Sequence, residues 1–257
     1  MRKLGQHFLK NISALQLIAS SLAITPDDTI IEIGPGHGEL TEFIIAAKPK
    51  KIILIEKDPS LRRILEEKFG GDARINIIEG DALKELPVIT SGTGFVQHGF
   101  KVAGNIPYYI TGHLLRILGE LTTKPGECVF TIQKEVAERV CAKPPRMNRL
   151  AASVQFWSDT KTIKTLPASD FNPPPKVASA IISLKINLHQ GDPEKYYAAV
   201  HGLFAQPRKM IGNNLAQAVR QPGNIVAERL ATIHITASSR PQDLSIENIS
   251  SIAELFF

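Results

Sequence analysis

Asn105, Ile106, Pro107 and Tyr108 follow one another at the end of a short β-branched run, Lys101–Gly104. An amide oxygen, a proline-fixed turn and an aromatic ring within four residues suit a planar base that carries an exocyclic amino group. The amino nitrogen of adenine is a poor nucleophile, because its lone pair is delocalised into the ring. Acceptors for its two hydrogens, here the Asn105 side-chain oxygen and a main-chain carbonyl near Ile106 or Pro107, favour a pyramidal nitrogen and localise that pair. Pro107 fixes the turn that presents the carbonyl. Tyr108 can stack on the base once it has left its helix, as a flipped substrate requires. Phe171, beside a proline run, is placed either to stack on the other face of the base or to fill the core. No strong general base is needed, since the nitrogen becomes acidic once alkylated and loses its proton to water or a carbonyl. Alone, Asn-x-Pro-Tyr also reads as an ordinary turn with a packing aromatic.

Three further features concern the other reactant. The run Ile30–Ile33 passes into Gly34-Pro35-Gly36-His37-Gly38 and then into a helical pattern, so the backbone can run close beneath a ligand. Glu56 ends the next strand, 22 residues after Gly34, where a carboxylate can accept both ribose hydroxyls of a nucleoside. Asp81, in Gly80-Asp81-Ala82-Leu83, follows the third strand and can accept from an adenine amino group, although alone it reads as a helix cap. The glycine spacing departs from the G-x-G-x-x-G of dinucleotide sites, and nicotinamide enzymes have no general need for Asp81. Together these residues favour S-adenosylmethionine, whose methyl would pass in line to the amino nitrogen, the chain contributing mainly alignment.

Parallel strands must hold these groups at one edge. Thr29–Ile33, Lys51–Ile55, Ile75–Glu79, Lys101–Gly104 and Val129–Ile132 read as strands alternating with amphipathic segments, such as Leu61, Ile64, Leu65 and Phe69. Ser13–Ala23 reads as a leading helix. After Phe171-Asn172-Pro173-Pro174-Pro175-Lys176-Val177 comes a last strand, Ala180–Ile186, with Thr162–Thr165 as its antiparallel partner. From about Asp192 the pattern is helical throughout, which divides the chain into a catalytic domain, 1–188, and a helical domain, 189–257.

A length of 257 residues, 43% of them hydrophobic and 21% charged, allows one large core and a small second domain. No apolar run approaches the roughly 18 residues a membrane span needs, and Met1-Arg2-Lys3-Leu4 opens no signal-type apolar core, so the default compartment is the cytoplasm. Cys128 and Cys141 lack metal-ligand spacing and suggest reduced thiols. The net charge of +5 suits a polyanionic partner, and its distribution says more. From residue 189 onward six Lys/Arg balance six Asp/Glu, so the excess lies in 1–188, much of it around Lys134, Arg139, Lys143, Arg146 and Arg149.

The chain closely resembles the ribosomal RNA adenine dimethyltransferases. Gly5-Gln6-His7-Phe8-Leu9, Glu32-Ile33-Gly34-Pro35-Gly36-His37-Gly38, Glu56-Lys57-Asp58, Gly80-Asp81-Ala82, Asn105-Ile106-Pro107-Tyr108-Tyr109, Gln133-Lys134-Glu135 and the Phe171–Val177 loop occur in that family's order over nearly the whole length. The resemblance implies a class I methyltransferase fold, a Rossmann-like α/β sheet of order 3-2-1-4-5-7-6, followed by a small all-α C-terminal domain. It implies S-adenosylmethionine contacts at His7, Leu9, Gly34, Gly36, Glu56, Asp81, Ala82 and Asn105, and a reaction centre at Asn105, Pro107, Tyr108 and Phe171. It also implies dimethylation of two adjacent adenosines in the 3′-terminal hairpin loop of small-subunit RNA during assembly of that subunit; for the oligomeric state a monomer is the default. Two segments depart from the family's pattern: Gln206-Pro207-Arg208-Lys209 stands for Arg-Arg-Lys, and Met147-Asn148-Arg149-Leu150 for Tyr-Gly-Arg-Leu. The rivals are an erythromycin-resistance-type methylase of large-subunit RNA, a methyltransferase-fold factor that binds nucleic acid without catalysis and, more remotely, a nicotinamide dehydrogenase. The first is disfavoured by the Pro-Pro-Pro loop and helical tail, and the second by intact Glu56, Asp81 and Asn105.

Overall fold

The computed structural model describes residues 7–91, 99–187 and 191–257. Gly5, Gln6 and the expected boundary at His189 lie outside the described residues. The chain forms two compact units, one of Met1–Ala137 with Asp159–Ile186, the other of Glu138–Ser158 with Asn187–Phe257.

The first unit is built on strands β2 (Thr29–Ile33), β3 (Lys51–Glu56), β4 (Ile75–Glu79), β5 (Lys101–Asn105), β6 (Glu127–Gln133), β7 (Ser158–Leu166) and β9 (Ser179–Ile186). They form one seven-stranded sheet in the order β4-β3-β2-β5-β6-β9-β7, which, counted along the chain, is the expected 3-2-1-4-5-7-6. The first five pair in parallel and β9 pairs antiparallel to β6. The central strands are apolar on both faces: Ile30, Ile31 and Ile33 of β2 and Ile52 to Ile55 of β3 are all buried. Buried parallel strands require this, because helices cover each side. The order reverses between β2 and β5, and open α/β sheets leave a crevice beyond the strand ends at such a point.

The helices start where short polar side chains satisfy free N–H groups. Asn11 caps α1 (Ile12–Ser21), Asp58 caps α3 (Pro59–Phe69) with Pro59 in the first turn, and Asp81 caps α4 (Ala82–Thr90). Between them, α2 (Glu39–Ala46) begins at the glycine turn, and α5 (Thr111–Glu120) follows the Asn105 motif. A second, two-stranded sheet went unforeseen: β1 (Phe8–Leu9) pairs antiparallel with β8 (Phe171–Asn172), matching Phe8 to Asn172 and Leu9 to Phe171. Next comes α6 (Lys134–Val140). Cys128 is buried in β6, and neither it nor Cys141 forms a disulfide.

The second unit differs from the expected 189–257 domain by taking in residues 138–158. Its helices are α7 (Arg149–Gln155), α8 (Pro193–Leu203), α9 (Ile211–Val219), α10 (Gly223–Thr232) and α11 (Ile246–Phe256). Ala151, Ala152 and Phe156 share one core with Tyr196, Val200 and Leu203. The Phe156 and Tyr196 rings stack 3.9 Å apart, and the Tyr196 hydroxyl donates to the Ala152 carbonyl at 3.0 Å. This apolar face is buried against the later helices, so contiguity in the chain was a poor guide to it. Both departures from the family's pattern have local structural roles. Asn148 caps α7, accepting from the Leu150 and Ala151 N–H groups and donating to the Arg139 carbonyl. Pro207 sits inside a turn that Lys209 closes by donating to the Gln206 carbonyl. Among the described residues no helix is long and apolar enough to cross a membrane.

Candidate active site

A cleft of about 820 Å³, open to solvent, lies at the carboxyl ends of β2 to β5. His7, Gly34, Gly36, Glu56, Asp81, Ala82, Asn105, Pro107 and Tyr108 all line it.

Its floor is the turn after β2. Gly36 has φ +63°, and a Cβ there would stand 2.9 Å from the Phe8 ring, so backbone and neighbour both exclude a side chain. Its N–H donates to Oε2 of Glu56 at 3.2 Å. Glu56 is only 4% exposed, and its Oε1 accepts the Lys57 and Asp58 N–H groups at 2.8 and 2.9 Å. Burial pushes its carboxyl above the ordinary range, while the backbone donors pull it back. Oε2, with one donor, retains acceptor capacity for a hydroxyl. Asp81 takes the helix-cap position that its place in the sequence allows. Its Oδ1 accepts the Leu83 N–H that starts α4, and its Oδ2 accepts from Lys57 Nζ at 2.8 Å. The Lys57 bond holds the Asp81 carboxyl below the ordinary carboxylate range.

Asn105 ends β5 beside this floor. Its Nδ2 donates to the His7 carbonyl at 2.6 Å, which turns Oδ1 the other way and keeps it as an acceptor. Gly104 lets the strand end sit there, since a Cβ on it would lie 2.4 Å from the Ile33 carbonyl oxygen. Beyond Asn105, the Ile106 N–H donates to the Thr131 carbonyl, and Ile110 closes a turn onto the Pro107 carbonyl. Of the two main-chain acceptors considered, Ile106 is thus the one its own turn does not use. Tyr108 is tied on two sides: its hydroxyl shares a 2.7 Å hydrogen bond with Ser179 Oγ at the start of β9, and its ring stacks with His7 at 6.0 Å. His7 Nδ1 in turn lies 2.8 Å from the Pro173 carbonyl.

Two expected residues stand elsewhere. Leu9 is buried and borders a smaller hollow with Glu32, Gly34 and Asn105. Phe171 is 1% exposed and belongs to the core with Leu9, Leu15 and Ile181, so its expected place on the face of a substrate base is corrected to a core position. The β1–β8 pairing sets this by holding the Phe171 backbone against Leu9. Lys57, Ser179 and Gly104 were given no role from sequence. A glycine inside a strand does signal close backbone approach, but Ser179 carries no local signal. Glu32 is 1% exposed and accepts from Thr41 Oγ1 at 2.7 Å; burial pushes its carboxyl up to about 8.

The arrangement can hold a nucleoside by its hydroxyls and amino group, and a second amino-bearing base at Asn105. Comparison with known proteins agrees with this chemistry. The family model for ribosomal RNA adenine dimethylase matches residues 1–256. A protein of Synechococcus sp. (strain CC9902) named ribosomal RNA small subunit methyltransferase A is 36% identical, covering 96% of this chain and 92% of that one. One of the same name from Sulfurihydrogenibium sp. (strain YO3AOP1) is 34% identical, over 98% and 94%. Among solved structures, a dimethyladenosine transferase from Plasmodium falciparum superposes with TM-score 0.80 at 24% identity, covering 98% of this chain and all of that one. The 23S rRNA methyltransferase ErmE superposes with TM-score 0.77, also at 24% identity, over 97% and 99%. These two share the class I methyltransferase fold.

Proposed function

Since this chain belongs to the ribosomal RNA adenine dimethylase family, we propose that it transfers methyl groups from S-adenosylmethionine to N6 of adenosine in ribosomal RNA, two to each base. The observation that carries the reading is the Asn105 amide, held by the His7 carbonyl with its oxygen left to accept an amino hydrogen.

The cleft suits the cofactor: Glu56 Oε2 has acceptor capacity at the rim, and the space where a Gly34 side chain would stand is open. His7, Gly34, Gly36, Glu56, Asp81, Ala82 and Asn105 would hold it from the cleft, with Leu9 bordering the adjoining hollow. S-adenosylmethionine supplies an electrophilic methyl group on a sulfonium. Asn105 Oδ1 and the Ile106 carbonyl bind the two hydrogens of the substrate's amino group and localise its lone pair. Tyr108, fixed by Ser179 and His7, carries the base on its ring. The proton leaves to water or the carbonyl, since the methylated nitrogen is strongly acidic. With reactants aligned, orientation accounts for most of the rate.

For the target we infer two adjacent adenosines in the 3′-terminal hairpin loop of small-subunit RNA, within the assembling subunit and in the cytoplasm. The names of the curated relatives favour this over the large-subunit substrate of ErmE, whose fold is equally similar. The test is to incubate the protein with labelled S-adenosylmethionine and, separately, assembling small subunits, naked small-subunit RNA and naked large-subunit RNA, then map the modified bases. Dimethyladenosine pairs in small-subunit RNA are expected. Label in large-subunit RNA alone would overturn the target, and no label anywhere would overturn the enzyme reading.

A further inference from the structure

The side chain assigned to the cofactor's adenine amino group already has a partner within the chain. Lys57 leaves the end of β3 one residue after Glu56, lines the same cleft, and sets its ammonium 2.8 Å from Asp81 Oδ2. The other Asp81 oxygen accepts the Leu83 N–H, so both are engaged from within. The Lys57 bond shifts both groups in the sense of an ion pair, Lys57 raised and Asp81 lowered. The capping bond belongs to a helix start and must persist. The Lys57 bond joins a side chain 52% exposed to one 29% exposed, and a pair that open to water is weak enough to exchange.

We propose that Lys57 is a self-ligand of the adenine subsite: its ammonium bonds Asp81 Oδ2 and gives way to the adenine amino group when the cofactor binds. The proposal rests on the reading of Asp81 as the adenine acceptor. A neutral amino group replaces a charged donor, so every binding event carries the cost of opening the pair. In this way Lys57 lowers affinity for the wanted ligand.

The experiment uses the full chain and S-adenosylhomocysteine, with affinity read by titration calorimetry for wild type, Lys57→Met, Asp81→Asn and the double variant. Methionine keeps the stem without the charge, and asparagine still caps a helix. An exposed pair is worth up to about 1 kcal/mol, so Lys57→Met should tighten binding up to about fivefold, with the gain fading as salt screens the wild-type pair. Asp81→Asn should weaken binding, and Lys57→Met should then add nothing. Unchanged or weaker binding by Lys57→Met, with Asp81→Asn still impaired, overturns the self-ligand and leaves the reading of Asp81 standing. Unchanged binding by Asp81→Asn removes that reading, and an equal gain from Lys57→Met in both backgrounds shows Lys57 acting without Asp81; either result overturns the proposal.

Discussion

Removing the Asn105 side chain separates alignment of the amino nitrogen from everything else the cleft does. In Asn105→Ala two bonds are lost: the 2.6 Å donation to the His7 carbonyl and the acceptor aimed at the substrate. The first is an ordinary hydrogen bond, contributing about 0.5–1.5 kcal/mol to stability, so the variant should fold with a slightly lower Tm. The second acts on a nitrogen whose lone pair is released only in the transition state. Deleting a preorganised partner of that kind costs about 10²–10³ in turnover, or roughly 2.7–4 kcal/mol. Cofactor affinity should fall far less than turnover, because Glu56 and Asp81 remain in place. Asn105→Asp sharpens the test. It keeps acceptors but sets an oxygen against the His7 carbonyl where a donor stood, so it should lose turnover and stability together. Single-turnover transfer of labelled methyl to small-subunit RNA, with S-adenosylhomocysteine affinity measured in parallel, reads both terms. Turnover by Asn105→Ala within a few-fold of wild type would refute the assignment, and full activity in Asn105→Asp would refute the role of the amide orientation.

Tyr108→Phe keeps the ring and loses the bond to Ser179, so turnover should fall only a few-fold. Tyr108→Ala should lose about 1–3 kcal/mol of base stacking, seen as weaker RNA-dependent turnover, and equal rates for the two variants would remove the stacking role. Gly104→Ala drives a methyl group to 2.4 Å from the Ile33 carbonyl oxygen, so β2 and β5 must part; thermal melting should show a loss of about 1–3 kcal/mol together with lost cofactor binding. Glu32 is held protonated, with its carboxyl raised from 4.5 to about 8. Between those pH values the unfolded chain ionises while the folded one does not, so wild-type stability falls as pH rises. Glu32→Gln abolishes that term: its Tm relative to wild type should climb from pH 5 to pH 8 and then level off, and a difference constant across that range would contradict the burial argument.

The chemistry was legible from the sequence because it sits in contiguous runs at strand ends. Period and apolar runs reveal the parallel strands, and the topology of an open α/β sheet brings Gly34, Glu56, Asp81 and Asn105 to one edge without further information. The strand limits expected for β2 and β4 agree with those observed. Long-range pairing decided the rest. The β1–β8 ladder spans more than 160 residues; it carries His7 to Asn105 and Tyr108, and it holds Phe171 in the core. Residues 138–158 joined the helical unit because their apolar face fits the Tyr196 helix, a complementarity of shape that no local pattern contains. Lys57 could be seen beside Glu56 in the sequence, but its bond to Asp81 exists only because β3 and β4 lie side by side. Residue type and spacing therefore determined which groups are suited to the proposed chemistry, and tertiary packing decided how each is oriented, since a hydrogen bond's direction depends on the partner that folding brings to it.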